Sequence, residues 1–120
     1  MEEKIRTFKD LKVWQKGMAL TKEIYKTTKL FPLDERYGLS SQMRRAAVSI
    51  PSNIAEGFRR RYAKEHKQFL ILALGSCAEL ETQLEISKEL GYLDKETLLP
   101  IADLVDHICA MIVNMSKKIQ

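Results

Sequence analysis

Residues 98–119 read LLPIADLVDHICAMIVNMSKKI, and Leu98, Ile101, Val105, Ile108, Ile112, Met115 and Ile119 recur in alternating steps of three and four. That is the seam of a long helix packed against other helices. Leu104 and Met111 flank the seam on one side, and Ala102 and Cys109 on the other. Asp94 is a good N-cap for this segment, with Glu96 in its first turn. Pro100 is tolerable there only because the helix begins close to it.

Three more segments precede it. The first runs from about Phe8 to Leu30, capped by Asp10 or Thr7, with Leu11, Trp14, Met18, Thr21, Tyr25 and Thr28 as its stripe. Val13, Leu20 and Ile24 widen that stripe. It breaks at Phe31-Pro32-Leu33-Asp34, since proline cannot continue a helix. The second begins near Asp34 or Ser40 and ends near Arg61, with Leu39, Met43, Ala46, Ile50, Asn53 or Ile54, and Gly57 turned inward. Pro51 falls inside it. The period continues on both sides, which favours one kinked helix over two. The third runs from Ala63 to Leu90 through Phe69 or Leu70, Ala73, Cys77, Leu80, Leu84 and Ser87, and Gly91 suits a left-handed cap.

Four helices with short breaks make neighbours antiparallel. The expected fold is all-α, an up-down-up-down four-helix bundle forming a single domain over residues 1–120, with its core at about 8–118. At 120 residues with 45% hydrophobic content, the chain can bury a sufficient core without a disulfide or metal. Gly and Pro together number only eight, too few for a sheet-and-turn protein. No apolar run is read as a membrane span, and MEEKIRTFKD lacks the apolar stretch of a signal peptide, so the expected compartment is the cytoplasm. Ile71, Leu72, Leu74, Leu104 and Met111 fit no single seam. They are either wide-face core or a subunit interface.

Charge is uneven. Residues 1–67 carry 16 Lys and Arg against 8 Asp and Glu, a net +8, whereas residues 68–120 carry 4 against 8, a net −4. Such asymmetry points to an anionic partner for the first half, to head-to-tail attraction between subunits, or simply to a solvated lysine face on the first helix.

No catalytic constellation emerges, and no cofactor or metal is expected. His66 and His107 are the only histidines, and neither follows a Glu by three positions, so the bundle di-iron pattern is missing. Asp103 and His107 share a helix face but supply only two ligands. Cys77 and Cys109 lie on apolar stripes without CxxC spacing and read as core thiols. Phosphate-loop and nucleophile-elbow motifs are absent from the sequence.

Two local features stand out. In Ser49-Ile50-Pro51-Ser52-Asn53-Ile54-Ala55-Glu56-Gly57, Asn53 and Glu56 share a face and can reach Ser76 and Glu79 on the next helix. This is a register-fixing polar network or a small-ligand site. The second is Arg59-Arg60-Arg61-Tyr62-Ala63-Lys64-Glu65-His66-Lys67, with Arg44 and Arg45 earlier on the same segment. Guanidinium forks match phosphates, and Tyr62 or His66 can stack on a base. The candidate nucleic-acid contacts are therefore Arg44, Arg45, Arg59, Arg60, Arg61, Lys64 and Lys67. The competing reading is a solubilising turn that pairs with Glu81, Glu85 and Glu89.

DLKVW at 10–14, SQMRRAAVSIPSNIAEGFRR at 41–60, FLILALGSCAELETQLEISKELGYL at 69–93 and the closing apolar helix together resemble one family. It is the four-helix-bundle proteins encoded in intervening sequences of bacterial large-subunit ribosomal RNA genes, over about residues 8–118. The resemblance implies a four-helix bundle and, through similarity to the accessory protein of diversity-generating retroelements, a ring-shaped homo-oligomer, a pentamer, that binds nucleic acid. The matching residues Pro51, Asn53, Glu56, Gly57, Ser76 and Glu79 carry over as fold-defining. The expected function is a non-enzymatic oligomeric bundle that binds RNA through backbone phosphates. The alternative is an interaction scaffold whose basic face meets an acidic partner protein, without nucleic acid.

Overall fold

The computed structural model describes residues 4–119. Its four helices are α1 (Lys12–Thr28), α2 (Leu39–Phe58), α3 (Ala63–Glu89) and α4 (Lys95–Lys118), with single 3-10 turns at Phe8–Asp10 and Leu33–Glu35. They touch in ring order, α1 to α2, α2 to α3, α3 to α4 and α4 back to α1. Thr28 meets Arg44, Gly17 meets Pro51 and Phe8 meets Arg59, so α1 and α2 run antiparallel. Met43 to Ser87, Ser49 to Ser76 and Gly57 to His66 show the same for α2 and α3.

The ends of the helices follow local chemistry. Gly91 takes φ +79°, with Tyr92 N–H donating to the Ser87 carbonyl and Gly91 N–H to that of Lys88. This is the paired bonding of a glycine-terminated helix. Asp94 Oδ1 accepts from Thr97 N–H at 2.7 Å, and that bond holds the Asp94 carboxyl below its usual range. The first helix is shorter than its periodic pattern. Thr7 caps the 3-10 turn, Asp10 accepts the N–H groups of Arg6 and Thr7, and Leu11 is extended, so α1 starts only at Lys12.

One core fills the bundle. α4 contributes Leu98, Ile101, Val105, Ile108 and Ile112, with Met115 and Ile119 packed at its end. α3 contributes Leu70, Ala73, Cys77, Leu80 and Leu84. Of the two choices on α2, Ile54 is buried and Asn53 only partly so. The stripe expected on α1 is rotated: Val13, Leu20 and Ile24 are buried, whereas Met18 and Tyr25 are exposed. Both sets have helical spacing, so periodicity could not separate them; contact with Pro51 does, because it turns Gly17 inward. By length and composition α4 is apolar enough to cross a membrane, which differs from the reading of the sequence alone. Its seam is nevertheless turned onto the other helices.

Pro51 sits inside an unbroken α2. It cannot donate to the carbonyl of Ala47, four residues back. Thr21 on α1 supplies the donor instead, its hydroxyl 3.2 Å from Ala47 O and 2.8 Å from Gly17 O. The close approach has its own requirement, since a Cβ on Gly17 would lie 3.3 Å from that of Pro51. Gly17, Thr21 and Pro51 thus lock α1 to α2 in one register.

Candidate nucleic-acid interface

The α2–α3 corner is tight because Gly57 permits it. A Cβ there would lie 3.0 Å from Phe69 Cβ and from His66 Cδ2, and 3.1 Å from the His66 carbonyl. Arg59 N–H bonds to Ala55 O and Arg60 N–H to Gly57 O, closing α2. Tyr62 is extended and opens α3. Residues 59–62 therefore crowd three guanidinium groups and a phenol into one turn.

The arginines do different jobs. Arg60 is occupied: it reaches Glu56 at 3.0 Å and Glu65 at 3.6 Å and lies 4.6 Å over the Phe69 ring. Arg59 lies 5.2 Å over the Phe8 ring, which holds its charge at the surface. Among the described residues, Arg59, Arg61, Lys64 and Lys67 have no carboxylate within ion-pair distance. Tyr62 is 62% exposed beside them. The pairing imagined with Glu81, Glu85 and Glu89 does not form, because those residues lie farther along α3 and Glu85 pairs with Lys88.

Arg44 is not part of this corner. It lies 15 residues before Arg59, about 22 Å along the helix at 1.5 Å per residue. Its Nε donates to Thr28 Oγ1 at 2.9 Å and its NH2 to the Tyr25 carbonyl at 3.3 Å, with the guanidinium 4.5 Å over the Tyr25 ring. Arg44 thereby closes the C-terminus of α1, where a cation is favoured. Arg45 is exposed on a shallow polar groove with Gln42, Ser49, Ser76 and Glu79. His66 does not offer a stacking face in the way Tyr62 does. It packs on Gly57, its Nε2 is buried without a partner among the described residues, and burial pushes its pKa down.

The fold adds cations that reading along the chain kept apart. Phe8 against Arg59 brings the segment before α1, with Arg6 and Lys9, to this end. Antiparallel packing brings the end of α4, with Lys117 and Lys118, to the same end. Alternation of helix directions was the signal that could have found them. Conversely, Glu79, Glu81, Glu85, Glu89, Asp94, Glu96, Asp103 and Asp106 fall on the second half of α3 and the first half of α4, which lie side by side. There Glu81 is held above its usual range by burial and then by the negative charge of Asp106. The bundle is therefore basic at one end and acidic along its α3–α4 flank.

The polar network is centred on a residue not singled out in the sequence. Ser49 Oγ accepts from Asn53 Nδ2 at 2.9 Å and from Ser76 Oγ at 2.8 Å, joining α2 to α3. Glu56 turns outward to Arg60, and Glu79 accepts from Gln83 Nε2 at 3.3 Å. The four residues Asn53, Glu56, Ser76 and Glu79 are thus not one cluster. Burial pushes both thiols up, Cys77 and Cys109, and among the described residues no three His, Cys, Asp or Glu side chains gather as metal ligands.

Residues 9–114 match the family model described as "23S rRNA-intervening sequence protein". The fold is similar to the crystal structure of a protein of unknown function from the S23 ribosomal protein family of Bacteroides thetaiotaomicron. The TM-score is 0.79 at 23% sequence identity, over 88% of this chain and 99% of that one. At that identity the likeness is one of fold. No curated protein matches the sequence.

Proposed function

The chain belongs to the 23S rRNA-intervening sequence protein family, and from that premise we propose that it is a non-enzymatic, oligomeric helical bundle that binds RNA through its basic end. The observation that supports this reading most is the set of four cations, Arg59, Arg61, Lys64 and Lys67, which have no carboxylate partner among the described residues and surround an exposed tyrosine. They would neutralise backbone phosphates and release counterions, with Tyr62 stacking on an unpaired base. Arg60 holds the corner together and Arg44 closes α1, so neither belongs to the contact set. Arg45 would add a phosphate contact beside the polar groove.

Self-association is supported by a second surface. Ile71 is 60% exposed and Leu72 54%, and next to them the exposed Gly75 has open space where a side chain would stand. A ring of copies, a pentamer by resemblance, would repeat the basic end and raise avidity without new contacts. The same cations can meet an acidic protein. Tyr62 in their midst favours a polyanion that also carries flat bases.

Filter binding on ribosomal RNA fragments at two salt concentrations tests the reading. Affinity should fall steeply with salt. Replacing Arg59, Arg61, Lys64 and Lys67 together by Gln should flatten the log–log slope by about three. Affinity indifferent to salt, or no binding at low salt, rejects it. Native mass spectrometry of protein purified without nuclease reads stoichiometry and retained nucleic acid together.

A further inference from the structure

The opposite end of α2 carries a basic cavity that the corner reading does not use. We infer that this cavity, of about 280 Å³ between the end of α1 and the start of α2, is a phosphate-binding site. Lys29, Arg36 and Arg44 line it, together with Thr28, Ser40 and Phe31. Lys29 and Arg36 form no ion pair among the described residues. Arg44 has five N–H donors, and its bonds to Thr28 and Tyr25 use two of them, leaving three.

Ser40 is the independent observation. It is 6% exposed and lines the cavity, and its hydroxyl, which still reaches solvent, has no hydrogen-bond partner among the described residues. A hydroxyl with no protein acceptor is free to donate to an anion held in the cavity. It also stands in the first turn of α2, whose positive end favours an anion. Two carboxylates lie close. Both oxygens of Glu35 are engaged, one by Leu39 N–H at 3.1 Å and the other by Tyr92 OH at 2.9 Å, and Asp34 is exposed. Lys29, Arg36, Arg44 and Ser40 all bring donors to the lining, which suits the several oxygens of a phosphate better than the two of a carboxylate. Free inorganic phosphate and the terminal phosphate of an oligoribonucleotide share this chemistry of recognition.

The test is amide and arginine Nε spectra of the full chain, titrated with sodium phosphate against sodium chloride at matched ionic strength. Saturable shifts are expected at Ser40, Ser41 and Arg44 Nε, and not at Arg61 or Lys64. The double variant Lys29→Gln, Arg36→Gln alters exposed side chains only and should weaken phosphate binding at least about tenfold. Ser40→Ala should weaken it a fewfold. Shifts at Ser40 no larger than those with chloride, or a double variant that binds like the parent, overturn the site. One oligoribonucleotide with a 5′-phosphate and with a 5′-hydroxyl then separates the sources. A preference for the phosphorylated form that the double variant loses assigns the RNA terminus, and equal affinities assign free phosphate. Because these residues lie away from the α2–α3 corner, failure here leaves the corner reading intact, and the reverse holds too.

Discussion

The two corners at the ends of α2 use the same residue type differently. At the α1–α2 corner Arg44 bonds a hydroxyl and a carbonyl of the preceding helix and is part of the scaffold. At the α2–α3 corner Arg60 is the scaffold, held by two carboxylates, while Arg59, Arg61, Lys64 and Lys67 pair with none among the described residues. A run of cations in a sequence therefore overstates its own binding surface. The difference arises because a helix C-terminus presents bare carbonyls that attract one guanidinium strongly, whereas a crowded run of arginines outnumbers the nearby acids.

The contrast breaks most decisively at Gly57. Placing Val there drives side-chain atoms into Phe69 and the His66 backbone. Urea unfolding should show a loss of about 2–3 kcal/mol, the scale of overpacking. An unchanged midpoint would mean that the corner is not tightly closed.

Arg44→Met and Arg60→Met weigh the two scaffold arginines against each other. Arg44→Met should cost about 1–2 kcal/mol, because its charge-assisted bonds are part-buried. Arg60→Met should cost about 0.5 kcal/mol, since its pairs with Glu56 and Glu65 are solvent-screened. The reverse order in denaturant melts would invert the comparison.

Gly75 sharpens it as a control. It is a helical glycine like Gly57, but nothing stands near its missing side chain. Gly75→Ala should stabilise the isolated chain by about 0.5–1 kcal/mol through lost unfolded-state freedom. If copies pack on this face, the same change should also shift subunit stoichiometry in native mass spectrometry.

The smallest effect is the pH response of the α2–α3 corner. The folded-state pKa of His66 is depressed below 6.5 because burial opposes its charge. Its contribution to stability is therefore complete above about 6.5 and is lost as pH falls through the depressed value. His66→Gln should flatten the unfolding midpoint between pH 7 and 5. A midpoint profile identical to the parent's would show that the buried Nε2 is not what titrates. Glu81 opposes it: its raised pKa favours the protonated fold, so its share of stability is present at low pH and fades as pH rises through that pKa.

The sequence by itself determined the helices. The α4 seam, the Gly91 turn, the Asp94 cap and the passage of α2 through Pro51 all depend on residues within a turn or two of one another, and short-range chemistry is legible along a chain. The tertiary structure decided which face of α1 is inside, because two stripes of equal period compete and only contact with Pro51 on α2 selects between them. It also tied Arg44 to α1 and joined Lys29, Arg36, Arg44 and Ser40 around one cavity. Arg44 takes its hydrogen-bond partners from α1, so its state is a property of packing, whereas Arg60 pairs with Glu56 and Glu65, which lie within five residues of it in the sequence.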